Sequence, residues 1–371
     1  MADNFLCPFC LKEHKKKDCI YRCTAERCLL NVPRDEHNII PYSSIKVCSK
    51  KCDQRFLALC PNQEDGVAKI IPTRAMDQSM SLALLGGRNS GKSNYIAILV
   101  NEIKRKMSYI FNCSLMTCDD TTEIRYKSFF YDPIFKDHRP LDSTDAGRQD
   151  PLLFTLDFYK KSIFGDSMKS LLLPLYDTAG ENMQNETKMV ENVNYIQSAG
   201  GIILLLDPFE IDEIAEILKI NDVKNNVDGA TKMEDILNRL QIILQRNDTH
   251  KIIETPLAIV LTKLDLLNDS TNLISEDSVL RNESAHLLNG YFSQREFEAV
   301  DSAVRDILRG SSDSQNLFMK LKAFKNAAFF AVTSFGCDPN TADLRRSMKP
   351  MRVLDPLLWL LSINGYIKTG K

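Results

Sequence analysis

The sequence predicts an α/β fold: a mostly parallel, six-stranded sheet with helical inserts, preceded by a small cysteine-rich module. Three observations point there. From about residue 79 onwards, short continuous apolar runs alternate with long amphipathic stretches, as strands covered by helices on both faces do. Residues 86–93, GGRNSGKS, fit G-x-x-x-x-G-K-[ST] between one such run and a helical stretch, the context in which that pattern wraps phosphates. Eight of the 11 cysteines lie before residue 61.

The expected strands, in order, are 81–87 (SLALLGG), 151–159 (PLLFTLDFY), 170–177 (SLLLPLYD), 200–207 (GGIILLLD), 256–263 (PLAIVLTK) and 326–334 (NAAFFAVTS). Most are unbroken apolar runs. Residues 151–159 alternate more and are expected at a sheet edge. Helices are expected in KSNYIAILVNEIKRKM after the glycine-rich loop, in KMEDILNRLQIILQR before the fifth strand, and in DPLLWLLSINGYI near the end. The stretches 208–250 and 268–323 are expected helical inserts. Residues 1–62 form the cysteine-rich module, 63–78 a connector, and 79–371 the α/β domain.

With 371 residues, 44% hydrophobic and 26% charged, the chain has the composition of an ordinary globular protein. A formal charge of −2 argues against wholesale nucleic-acid binding. The start, MADNFLCPFC, lacks the regions of a signal peptide. The best apolar runs, GGIILLL and PLLWLL, fall well short of the ~20 residues that span a bilayer. The expectation is a cytoplasmic protein without membrane association.

The chemistry starts at residues 86–93. Glycines there let successive backbone N–H groups point inward at the positive end of a helix, forming an anion nest. Gly86 and Gly91 permit close approach, with Asn89, Ser90 and Asn94 beside the nucleotide. Lys92 reaches the β- and γ-phosphates, and Ser93 ligates Mg2+. LYDTAGE (175–181) follows an apolar strand, with Asp177 placed 84 residues after Ser93 (177 − 93). Asp177 is expected to hold Mg2+ through a water, and the Gly180 amide to sense a γ-phosphate. LTKLD (261–265) ends the next strand but one. Asp265 can accept hydrogen bonds from guanine N1–H and its exocyclic amine. Adenine offers the opposite pattern, so the residue selects guanine. Thr262 and Lys263 complete the motif, the lysine stem lying over the base or bracing the phosphate loop. AVTSF (331–335) ends the last strand, where a backbone N–H at Ser334 or Phe335 can meet guanine O6.

The cysteines form a second centre. Cys7 and Cys10 make C-P-F-C, a knuckle that presents two thiolates to one tetrahedral zinc. Cys23 with Cys28 and Cys48 with Cys52 are two wider pairs, and Cys19 and Cys60 complete a set of eight. In a reducing compartment such a cluster binds metal rather than forming disulfides, and two four-cysteine Zn2+ sites use all eight. Should Cys19 drop out, His14 or His37 can complete a site. A segment this poor in large apolar side chains needs the metal to hold its fold. The lysines of KEHKKK and SKKCDQR permit nucleic-acid binding, but without interleaved aromatic groups it is not favoured.

Four motifs in order, each at a strand end, resemble the P-loop GTPase fold in its Ras-like, translation-factor-related class, over roughly residues 79–371. The terminal PMRVLDPLLWLL and the amino-terminal CPFC…YRCTAERC resemble bacterial double-GTPase-type proteins in which a zinc ribbon precedes the GTPase. That resemblance emphasises Cys23 and Cys28 over Cys19. It implies a GTP-binding, GTP-hydrolysing switch using GTP/GDP and Mg2+, acting on a protein effector or activating partner in a conflict or signalling system. The motifs name neither the partner nor an oligomeric state.

Two departures matter. Ras-like enzymes place Gln after D-T-A-G to orient the attacking water, whereas Glu181 stands here. A carboxylate beside a γ-phosphate is repelled, so intrinsic hydrolysis is expected to be no faster than the ~10⁻³ s⁻¹ scale of unassisted Ras, unless a partner's arginine or Gln184 assists. The Mg2+-binding switch threonine is expected at Thr144 in LDSTDAGRQDPLLF, with Thr121 and Thr122 as alternatives and Arg139 and Arg148 as candidate internal arginine fingers. Two other functions compete: a non-hydrolysing GTP-binding scaffold, and a nucleic-acid-binding zinc module driven by a P-loop motor.

Overall fold

The computed structural model describes residues 4–10, 12–23, 56–62, 69–72, 76, 81–87, 90–141, 150–160, 167–176, 193, 196–220, 233–246, 248, 250–270, 273–310, 314–339 and 342–370. The amino-terminal module holds two small antiparallel sheets. β1 (Asn4–Leu6) pairs with β2 (Glu13–Lys15). β3 (Ile20–Cys23) pairs with β4 (Phe56–Leu59), which also carries β5 (Ile70–Ile71). β5 lies inside the expected connector 63–78, so that stretch contributes a strand.

β6 (Ala83–Gly86) then enters the glycine-rich loop, and α1 (Lys92–Glu102) follows it. β7 (Cys113–Thr117), α2 (Asp120–Tyr126), β8 (Leu152–Lys160) and β9 (Ser167–Leu175) come next. After β10 (Ile202–Leu206) stand α3 (Asp212–Ile220) and α4 (Met233–Gln245). β11 (Leu257–Leu261) leads into α5 (Leu264–Ser270). α6 (Gln294–Arg309) and α7 (Ser314–Leu321) precede β13 (Ala327–Ala331), and α8 (Asp355–Ile363) lies near the end. A short parallel pair, β12 (Phe292–Ser293) with β14 (Thr369–Gly370), joins the second insert to the carboxyl-terminal residues. No helix among the described residues is long and apolar enough to cross a membrane.

All six expected strands form, but not one six-stranded sheet. Four make a parallel sheet in the order β13–β11–β10–β6, while β7, β8 and β9 make a separate antiparallel one. The difference is a matter of pairing. Every residue of β10 and β11 is buried, as in a sheet covered on both faces, whereas β8 and β9 run antiparallel over nine register pairs from Leu152↔Leu175 to Lys160↔Ser167. β8 is also not the expected edge strand: β7 and β9 flank it. Its alternation marks two different buried faces. Phe154, Leu156 and Phe158 point into the main core, while Thr155 and Asp157 on the other face are buried as well. β7 escaped the sequence reading because CSLMT is short and mixes Ser and Thr among its apolar residues.

β9 shows how period-two alternation joins the module to the domain. Leu171, Leu173 and Leu175 belong to the main core, whereas Leu172 packs with Phe5 and Tyr21 of the cysteine-rich module and with Ile71 and Met76 of the connector. Burying one such leucine contributes about 1.5–3 kcal/mol.

Candidate functional site

β6, β11 and β13 are parallel, so the loops that follow them open on one edge of the sheet. The first is the phosphate-type loop. At Gly86 a side chain would collide with Ser90 Oγ and stand 3.1 Å from Leu205 Cβ. Ser90 Oγ donates to the Gly87 carbonyl at 2.9 Å, which closes the loop's described ends on each other. Gly91 has open space around its Cα but a φ of 76°, so it is glycine for its backbone. Lys92 and Ser93 open α1, with Lys92 buried. Asn94 Oδ1 accepts the Leu141 N–H at 3.0 Å, so this side chain anchors the segment that leads towards Thr144. Asn89 and Thr144 lie outside the described residues, as do Arg148, Asp177, Gly180, Glu181 and Gln184.

The second loop carries the LTKLD segment. Thr262 Oγ1 donates to the Leu206 carbonyl at 3.1 Å, pinning the end of β11 to the end of β10. Lys263 sits at φ 53° and places Nζ 2.7 Å from Asp207 Oδ2. Asp265, in the first turn of α5, accepts the Thr333 hydroxyl, and that hydroxyl in turn accepts the Gly336 N–H at 2.9 Å. The carboxylate is therefore oriented from the third loop, where Ser334 is half-buried and Phe335 buried.

A strap near the carboxyl end holds that third loop. Thr333 and Met351 exchange backbone hydrogen bonds at 3.1 and 3.0 Å, and Lys349 N donates to the Phe335 carbonyl at 2.6 Å. A side chain at Gly336, φ 73°, would collide with the Lys349 carbonyl. Arg352, next along the strap, is buried at φ 55°. It bonds Asp355 at 2.9 Å, Glu296 at 2.7 Å and the Val279 carbonyl at 2.7 Å. The fully buried Tyr95 of α1 donates its hydroxyl to the Val353 carbonyl at 2.9 Å. One segment, PMRVLDP, thus braces both α1 and the loop after β13.

Sequence reasoning assigns no role to Asp207, Glu210 and Thr333, and it marks PMRVLDPLLWLL only as a family resemblance, not as a brace. Asp207 was visible as the acid ending GGIILLLD, with Glu210 three residues on. Asp207 caps the turn Pro208–Glu210 by accepting the Phe209 N–H at 3.1 Å, and Glu210 Oε2 accepts the Asp207 N–H at 3.4 Å. Burial, reinforced by the Asp207 charge, pushes the Glu210 carboxyl up to about 8.

Thr121 and Thr122, the alternative switch threonines, lie in α2. The Thr122 hydroxyl accepts the Leu153 N–H at 3.1 Å, and its own N–H bonds Asp119 at 2.6 Å, so Thr122 serves a helix cap and a strand. Arg139 is exposed and stands 4.0 Å from Asp137.

In the amino-terminal module, Cys7, Cys10, His14 and Cys60 bring three sulfurs and an imidazole nitrogen within 4.8 Å of one another. Cys10 Sγ lies 3.0 Å from His14 Nε2, and Cys7 Sγ 3.5 Å from Cys60 Sγ. Hydrogen bonding from Cys7 draws the Cys10 thiol down to about 5. Three sulfurs and one imidazole are a tetrahedral zinc donor set. Cys19 is not in the group; its sulfur faces the Lys15 carbonyl at 3.8 Å. His14 takes the fourth place that sequence left between His14 and His37. His37, Cys28, Cys48, Cys52 and the Cys23 side chain lie outside the described residues. The knuckle touches the domain directly: Tyr176, just before Asp177, donates its hydroxyl to the Pro8 carbonyl.

Residues 81–314 match the profile of a family described as Double-GTPase 2. SaeC of Mycolicibacterium smegmatis, whose name assigns it to ESX-1 scaffolding and assembly, is 22% identical over 312 residues, covering 78% of this chain and 76% of that protein. The SRb-GTP/SRX signal recognition particle receptor complex of Chaetomium thermophilum aligns over 71% of this chain and 94% of that chain, at 13% identity and a TM-score of 0.31. The S. cerevisiae Ski7 GTPase-like domain bound to GTP aligns over 77% and 50%, at 15% identity and a TM-score of 0.33.

Proposed function

The chain belongs to the Double-GTPase 2 family, and from that premise we propose that it is a guanine-nucleotide switch that hydrolyses GTP slowly to GDP and phosphate. One observation supports the reading most: the glycine-lined loop and the braced Asp265 share the carboxyl edge of one parallel sheet, where open α/β sheets take their ligands. The loop amides and the α1 N-terminus receive the phosphates, and Lys92 offsets charge on the γ-phosphoryl oxygens. Ser93, with Asp177 and Thr144, would hold Mg2+, which neutralises charge between the β- and γ-phosphates. Asp265 accepts from the guanine edge, and Thr333 keeps its carboxylate from rotating away. Glu181 in the place of a water-orienting Gln keeps turnover slow.

Cys7, Cys10, His14 and Cys60 would hold zinc, which supplies the cross-link that a module with a small core needs. Fastened to β9 through Leu172 and Tyr176, the module is placed to carry a protein partner beside the switch.

Titration with GDP, GTP and ATP, with and without Mg2+, followed by single-turnover phosphate release, tests the reading. The expected result is a guanine preference of about 100-fold or more and release no faster than ~10⁻³ s⁻¹. ATP binding as tight as GTP binding contradicts it. Tight GTP binding without release favours the second reading, a GTP-binding scaffold, which Glu181 and the name of the mycobacterial relative both support.

A further inference from the structure

Glu210 is 8% exposed, yet its Oε1 has no hydrogen-bond partner among the described residues and is sealed from solvent. A buried polar atom left without a partner is costly, so its position asks for a reason. That oxygen lies against Gly87 of the phosphate-type loop, where any Cβ would run into it. Gly87 does not sit in the left-handed region, so backbone strain does not account for glycine there. The neighbouring carboxyl does.

The other side of Glu210 leads to the base-reading half of the site. Its Oε2 accepts the Asp207 N–H, and Asp207 Oδ2 pairs with Lys263 Nζ at 2.7 Å. Lys263 is two residues from Asp265. A continuous line of contacts therefore runs from the phosphate loop through two carboxyl groups to the guanine-reading segment, and none of these contacts is used by the hydrolysis chemistry itself.

We propose that Glu210 is a positioning residue of the nucleotide site: its carboxyl group props the phosphate loop at Gly87 and, through Asp207, ties that loop to Lys263. The inference rests on the guanine-nucleotide reading. The prop works by shape and hydrogen bonding, so a glutamine of the same size can replace it. The burial that raises this acid also favours its neutral form, the form that can sit beneath a phosphate site without repelling the ligand.

Five proteins spanning residues 1–371 test the proposal: wild type, Gly87→Ala, Glu210→Ala, Glu210→Gln and the Gly87→Ala/Glu210→Ala double variant. Affinity for a fluorescent GDP analogue is read for each, with the melting temperature as a control on folding. Gly87→Ala should weaken binding about tenfold or more, Glu210→Ala about three- to tenfold, and Glu210→Gln less than twofold. The double variant should bind more tightly than Gly87→Ala alone, because removing the carboxyl makes room for the methyl. If Gly87→Ala fails to fold, recovery of folded yield in the double variant reads the same suppression. A double variant no better than Gly87→Ala, or a Gln variant as weak as the Ala variant, overturns the proposal while leaving the guanine reading intact. A wild type that binds no guanine nucleotide overturns both.

Discussion

The α/β domain and the cysteine-rich module are held together by different means, although they share strand β9. In the domain, β6, β10, β11 and β13 are buried along their whole lengths apart from Ala327, and Tyr95, Phe329 and Phe330 fill the space between sheet and helices. The described core of the module is a handful of residues around Phe5, Tyr21 and Ile71, with four metal-type donors beside it. The domain's order comes from area removed from water. The module has little such area, and its most compact feature is the set of three sulfurs and one imidazole nitrogen within 4.8 Å of one another, a donor set of the kind that couples metal binding to folding.

The largest expected effect breaks the module and spares the domain. Purified protein should carry about one zinc per chain at the four-donor site. Cys10→Ser should lose that zinc and expose the amino-terminal residues to protease, with guanine-nucleotide binding retained. Loss of nucleotide binding and zinc together would contradict the division. The counterpart in the domain is Arg352→Ala, which strands the buried Asp355 and the partly buried Glu296. Breaking such a pair costs about 3–5 kcal/mol, so denaturant unfolding of the domain should shift by that much with zinc content unchanged.

A pH-dependent effect of similar or smaller size separates the two further. Burial raises the carboxyl of folded Glu210 to about 8, from an ordinary glutamate value of 4.5. A raised acid is stabilising only while protonated, so the wild type should lose stability as pH rises from about 4.5 and level off above about 8. Glu210→Gln should therefore gain on the order of 2–4 kcal/mol over wild type between pH 5 and pH 9, seen as a pH-dependent difference in melting temperature. A difference that does not change with pH would place the carboxyl outside the buried turn. The smallest effect lies at the junction. Tyr176→Phe removes the hydroxyl given to the Pro8 carbonyl and should cost about 1–2 kcal/mol, read as earlier release of the module on heating.

Much of the domain was legible in the sequence because its signals are local. GGRNSGKS carries its own loop, helix start and charge within eight residues, and each expected strand formed where its apolar run stands. Pairing was not legible: nothing in PLLFTLDFY says that it will meet CSLMT on one side and β9 on the other. The loops after β11 and β13 show the same limit. Asp265 announced itself in LTKLD, but the groups that aim it, Thr333 and the strap at Met351, lie 68 and 86 residues further on (333 − 265 and 351 − 265). His14 sits in a run of lysines with no pattern of its own. Only the β1–β2 pairing brings it to Cys10, and only β4 brings Cys60 to Cys7.

The central claim is that Asp265, held by Thr333, reads guanine. Affinities of GDP and xanthosine diphosphate for wild type and Asp265→Asn measure it most directly. Asn presents an amide N–H where Asp presents an oxygen, which suits the carbonyl that xanthine carries in place of guanine's amine. The substitution should lower GDP affinity by about 100-fold or more and raise xanthosine diphosphate affinity above that of wild type. Unchanged GDP affinity in Asp265→Asn would contradict it.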